Sequence, residues 1–175
     1  MGYALLGSLA TALALALREG VPWVHPEPWQ SLDPMVGIAA SAGLGVALAL
    51  IVIVATRLTV SRLAWAKRLH LELKPIANGL TLWQIVLIAG FSSLGEELLF
   101  RGLLQPWIGV LPTAVVFGLC HQIPGPARWV WASWATVVGL AFGVIFAFTG
   151  SLVGPLPAHA VLNAVNLPYL PDPHP

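Results

Sequence analysis

Charge is what this sequence lacks most. Only 9% of its 175 residues are Asp, Glu, Lys or Arg, 58% are hydrophobic and the mean hydropathy is +0.85; ordinary soluble domains carry about 25% charged residues. A globule of this size has too little interior to hide so much apolar surface from water, so the bilayer becomes the solvent. Eight basic against seven acidic residues leave a net charge of +1, and nothing in that balance attracts a nucleic acid. The single cysteine, Cys120, excludes an intramolecular disulfide, and its apolar neighbours predict a buried, inert thiol rather than a nucleophile. Two missing motifs narrow the chemistry. No Gly-x-Ser-x-Gly seats a serine nucleophile, and no His-Glu-x-x-His holds zinc on one helix.

What is present is a series of apolar runs. Tyr3–Leu17, Pro34–Thr56, Thr81–Leu104, Trp107–His121, Arg128–Thr149 and Ser151–Leu167 predict an all-α, multipass bundle of about six membrane helices. The whole chain, 1–175, reads as a single membrane domain. Pro112 interrupts the fourth run, and Pro155 and Pro157 are expected to break the last. Residues 57–74 hold five basic residues and one acid, Glu72, interleaved with Leu58, Leu63, Trp65, Leu69 and Leu73. That pattern reads as a basic amphipathic loop lying in the interface. Trp23, Trp29, Trp83, Trp107, Trp129 and Trp131 fall near run ends, as an aromatic belt requires.

The positive-inside rule places residues 57–74 in the cytoplasm and the loop Arg18–Asp33, with one base and three acids, outside. Both termini of this cell-membrane protein are then expected in the cytoplasm. Ala14-Leu15-Ala16 has the form of a signal-peptidase site, but no Lys or Arg precedes the first run, so that helix is expected to be retained. The proline-rich tail Pro168–Pro175 is a low-complexity tract.

Against this background three ionisable residues stand within one apolar run: Glu96, Glu97 and Arg101. A charge at bilayer depth costs about 2.5–3.5 kcal/mol on insertion scales, so such residues face polar cavities and carry function. Glu97 and Arg101 are i,i+4 neighbours that can pair, while Glu96 projects about 100° away. A salt bridge stitching two helices explains Glu97 and Arg101; it does not explain Glu96. His121 ends its run one turn after Phe117, and His159, Asn163 and Asn166 share one helix face. A lone membrane histidine is more often hydrogen-bonded core than catalyst, but each of these groups needs polar partners and the others are the best available. Together a carboxylate, two imidazoles and an amide suffice to activate water and to stabilise an oxyanion. A peptide-binding membrane protein, or a transporter whose Glu and His relay protons, would use the same residue types.

In order and spacing these residues resemble the CAAX prenyl endopeptidases and their prokaryotic relatives, the CPBP (bacteriocin-processing, or ABI) family of intramembrane proteases. The family motifs EExxxR, FxxxH and HxxxN read here as Glu96-Glu97-…-Arg101, Phe117-…-His121 and His159-…-Asn163. The resemblance covers residues 81–167, which it marks as a catalytic core. It implies peptide-bond hydrolysis of a membrane-associated or lipidated substrate: a prenylated CAAX tail, a bacteriocin leader or a lipoprotein. By carry-over, Glu96 is the base that activates water with help from His121, His159 and Asn163 are oxyanion donors, and Glu97 and Arg101 are the supporting pair beside Phe117.

Two questions stay open in the sequence. Glu96, His121 and His159 also compose a two-histidine, one-carboxylate set of the kind that binds zinc. A metal-free mechanism is expected instead, because the only spare acid for an outer shell, Glu97, is better explained by Arg101. Depth is the second. At 1.5 Å per residue Glu96 lies roughly 22 Å from the start of its helix, and a returning helix leaves His121 roughly 10 Å from that side. For the two to meet, residues 102–121 must tilt or re-enter, which Pro106 and Pro112 permit.

Overall fold

The structure is a computed structural model, and it describes residues 2–18 and 20–169. Helices α1 (Gly2–Arg18), α2 (Pro34–Arg62), α3 (Ala64–Ala77) and α4 (Leu82–Glu97) lead into a π-helical segment, Leu98–Leu104. A short α5 (Gln105–Ile108), then α6 (Val110–Cys120), α7 (Arg128–Thr149) and α8 (Pro155–Tyr169) complete the bundle. No β-strand forms among the described residues; an isolated antiparallel bridge joins Val24 to Ser151. Three helical stretches are long and apolar enough to cross a membrane, Pro34–Arg62, Leu82–Ile108 and Arg128–Thr149, and α1 and α6 are shorter apolar helices. The fold is a multipass helical bundle. Of the proline-rich tail, residues 170–175 lie outside the described residues.

Local chemistry sets the helix ends. Asp33 caps α2 by accepting from the Met35 amide, and Pro34 sits in the first turn, where a missing N–H is harmless. Thr81 and Gln84 form a capping box at the start of α4. Gly150, at φ 74°, closes α7 in the left-handed conformation. Pro155 and Pro157 do not break the last helix as expected, because α8 begins at Pro155 and both prolines fall in its first turn. The second run also continues past Thr56 to Arg62, so the basic segment is divided between the end of α2 and α3, with the chain turning at Leu63.

The packing is that of a membrane bundle, with small residues inside and large apolar residues outside. α1 buries Gly7, Ala10 and Ala14, and α2 buries Gly37, Ser41, Gly45 and Ala49. A Cβ on Gly95 would stand 2.6 Å from the Tyr3 carbonyl, and one on Gly37 2.7 Å from the Thr149 carbonyl. These close approaches bring α1 onto α4 and α2 onto α7 and α8; α6 packs on α7, and α4 on α8. Leu50, Ile51, Leu82, Trp83 and Leu111 are exposed. Cys120 is exposed too, which corrects the expectation of a buried thiol. The reason is the solvent: in a membrane bundle, apolar neighbours mark the lipid-facing side as readily as the core.

Candidate functional site

The depth problem is settled by how far the third run extends. The helix does not stop at Leu104 but continues through the π segment and α5 to Ile108. An α-helical proline clashes with the carbonyl four residues back. The wide π turn precedes Pro106 and opens that space. Gly109, at φ 85°, then reverses the chain into α6, with Pro112 in its first turn. The climb from Glu96 to Ile108, about 18 Å, is nearly cancelled by a return of about 17 Å along the 11 residues of α6. His121, at the C-terminal cap of α6, thereby reaches the level of Glu96. At that length α6 is too short to span.

Glu96, Glu97, Arg101, Phe117 and His159, all buried, form one cluster with the half-buried His121. Glu96 Oε2 lies 3.5 Å from His121 Nε2 and 3.8 Å from His159 Nε2. Both separations exceed a direct hydrogen bond and suit groups that share a small third partner. Glu97 and Arg101 are fully buried; Arg101 Nη1 donates to Glu97 Oε1 at 3.0 Å and Nη2 to the Gly139 carbonyl at 2.9 Å. The guanidinium lies over the Phe117 ring, 4.4 Å from its centroid, and that ring in turn stands 4.3 Å from the His121 ring. His159 stacks on Phe142 at 5.4 Å.

The outer partners assign the imidazole tautomers. His121 Nδ1 is 2.7 Å from the Phe117 carbonyl, so it carries the proton and donates, which leaves Nε2 as an acceptor when the ring is neutral. His159 Nδ1 is 2.8 Å from Glu97 Oε1 and donates to that carboxylate. Glu97 therefore serves His159 as well as Arg101, and is not committed to the arginine alone. Both Nε2 atoms are turned toward Glu96 Oε2. Asn163 stands apart from this cluster: one turn beyond His159, its Nδ2 donates to Ser92 Oγ at 3.1 Å.

Tethering of each histidine through Nδ1 is the outer shell that zinc histidines carry. The inner groups, Glu96 Oε2 and the two Nε2 atoms, face one another across 3.5 and 3.8 Å; among the described residues, no group of three His, Cys, Asp or Glu side chains stands out as a ready-made metal site.

Four contributors were not singled out from the sequence. Ser92 is one turn before Glu96 on the same face of α4, and the Ser92-Ser93 pair in an apolar run was the available signal. Gln105 repeats the Arg101 arrangement one step along: it is buried, and Nε2 donates to the Gly143 carbonyl at 2.9 Å. Gly139 and Gly143 expose those carbonyls. A Cβ on Gly139 would meet Phe117 at 2.8 Å and Arg101 Nη2 at 3.1 Å, and one on Gly143 would meet Gln105 at 2.8 Å. No local signal distinguishes these two glycines from others in an apolar helix.

Residues 78–165 match the family model described as type II CAAX prenyl endopeptidase Rce1-like. Over 92 residues the chain is 29% identical to the uncharacterized protein YpbD of Bacillus subtilis (strain 168), covering 53% of this chain and 48% of that one. The match thus spans about half the length of that relative. No solved structure matches the chain. On the extent of the family match, this membrane protein belongs to the Rce1-like family of CAAX prenyl endopeptidases, a family of proteases.

Proposed function

We propose that this protein is an intramembrane endopeptidase of CAAX-protease type that hydrolyses a peptide bond of a membrane-associated or prenylated substrate without a metal. The observation that carries the reading is Glu96 Oε2 facing two imidazole Nε2 atoms at 3.5 and 3.8 Å. A water held between Glu96 and the His121 Nε2 acceptor gives its proton to Glu96 as its oxygen attacks the scissile carbonyl carbon. The carbonyl oxygen becomes the oxyanion of a tetrahedral intermediate. Glu96 then passes the proton to the amide nitrogen, the C–N bond breaks, and an acid and an amine leave.

The tautomers refine the oxyanion site. His159 commits its Nδ1 proton to Glu97, so its Nε2 donates only when the ring is an imidazolium, and Glu97 is the carboxylate that stabilises that cation. Asn163 has a second amide N–H beyond the one given to Ser92. Arg101 holds Glu97 in place. The catalytic core is 81–167. The basic residues of 57–74 face the cytoplasm, and both termini lie on that side.

The test is cleavage of a library of membrane-anchored peptides by the purified chain in liposomes. Glu96→Gln keeps the shape and removes the base, so turnover should fall by orders of magnitude while the protein still accumulates in the membrane. Activity should also survive prolonged dialysis against a tight chelator. Activity lost on dialysis and restored by zinc would recast Glu96, His121 and His159 as ligands. A wild type that binds peptides and cuts none would favour a non-hydrolytic role.

A further inference from the structure

Beside the catalytic cluster, α2, α3, α7 and α8 line a half-open cavity of about 210 Å³. We propose that this cavity is a subsite for one aromatic side chain bearing a hydrogen-bond donor, tryptophan or tyrosine, near the scissile bond of the substrate; the inference rests on the peptidase reading above.

Size comes first. An apolar cavity of about 150 Å³ takes benzene, and sites for drug-sized ligands begin near 300 Å³. The volume here suits a phenyl-to-indole ring and falls short of a long acyl or prenyl chain. The walls agree, for Trp65, Trp131, Trp134 and Tyr169 offer faces and edges to an incoming ring. Tyr169 is itself fixed, with the His70 ring 4.9 Å away edge-on and the Arg57 guanidinium 3.4 Å over its face.

The polar atoms decide which aromatic. Asn166 Oδ1 and Thr56 Oγ1 belong to lining residues and are buried without a hydrogen-bond partner. A buried acceptor left unmet is costly, so a ligand that donates to it is favoured. An indole N–H or a phenol O–H does so from the rim of a ring that the tryptophans enclose. A phenylalanine or leucine side chain fills the space and leaves the acceptor unmet.

Location ties the cavity to the chemistry. Asn163 lines it and stands one turn beyond His159, and the Trp131 ring lies 6.1 Å from the His121 ring. One helical turn, about 5.4 Å, equals about two residues of extended chain at 3.3 Å each. The side chain therefore belongs to a residue one or two places from the cut.

The experiment has two arms on the full chain. In liposomes, peptides cleaved from a randomised membrane-anchored library should be enriched about tenfold in Trp and Tyr at one position beside the cut, the worth of one satisfied buried polar group. Asn166→Leu should abolish the preference over Phe, and Ala66→Leu, which adds bulk where Ala66 of α3 lines the cavity, should abolish the preference for aromatics altogether. In detergent, fluorine NMR should show a fluoroindole binding more tightly than fluorobenzene, with binding lost in Ala66→Leu. Cleavage with no aromatic preference overturns the subsite and leaves the peptidase reading intact. No cleavage, with fluoroindole still bound and displaced by Ala66→Leu, sinks the peptidase reading and keeps the cavity as an aromatic site. Neither preference nor binding overturns the inference outright.

Discussion

Replacing Arg101 with methionine should cost this protein as much as truncating one of its buried phenylalanines. The guanidinium is fully buried and ties three elements together: Glu97 on α4 at 3.0 Å, the Gly139 carbonyl on α7 at 2.9 Å and the Phe117 ring on α6 at 4.4 Å. Methionine keeps much of the volume against Phe117, so the packing loss is small. What remains is the Glu97 carboxylate, equally buried, with Oε2 already lacking a partner and Oε1 held by His159 alone. Breaking one side of a buried ion pair costs about 3–5 kcal/mol, a large share of the 5–15 kcal/mol that holds a typical domain. For a chain of this length that is a fall in Tm of about 6–20 °C. The origin of the loss is testable by removing the stranded charge. Glu97→Gln in the same chain still accepts from His159 Nδ1 through its amide oxygen, so the double variant should recover about half of the loss or more. The assay is thermal unfolding in a mild detergent, with helix content as readout, for wild type, both single variants and the double. If Arg101→Met unfolds no earlier than wild type, or if Glu97→Gln deepens its loss, the buried-charge reasoning is refuted.

Four further outcomes follow from the same geometry. Asn163→Ala should lower turnover roughly 10²–10³-fold if its free N–H serves the oxyanion, with Ser92→Ala, which only releases its other N–H, costing far less; equal losses in peptide cleavage would argue for a structural role. Gly139→Ala pushes on Phe117 and Arg101 at once, so it should reduce turnover more than Tm, and an unchanged rate in liposomes would count against the placement of His121 through Phe117. Reporters fused near Lys67 and near Glu27 should read cytoplasmic and external respectively, and the reverse would overturn the orientation while leaving the fold intact. In the loop outside the spans, burial and then the nearby Arg18 guanidinium hold His25 below its usual value. A histidine depressed in the folded state stabilises above the unfolded pKa of about 6.5 and loses that contribution as pH falls toward the folded one, so Tm should drop on acidification below that point in wild type and less in His25→Gln.

The sequence by itself determined the class of protein and the inventory of its chemistry. Scarcity of charge forces the chain into a bilayer, and in a bilayer helices are the open route to satisfying the backbone. The same scarcity makes Glu96, Glu97, Arg101, His121 and His159 conspicuous, because each is expensive where it stands. It could not show that His121 would meet Glu96, since that depends on the helix running four residues past Leu104 and on the reversal at Gly109. Nor could it assign Glu97 two partners: helical spacing pairs it with Arg101, but the bond to His159 crosses from α4 to α8. The exposure of Cys120 was misread for a related reason, as apolar neighbours do not tell lipid from core. Gly139 and Gly143 were silent altogether. Their value lies in the backbone carbonyls that a missing side chain uncovers for Arg101 and Gln105, and only the tertiary structure, which sets α7 beside those two side chains, turns that absence into a contact.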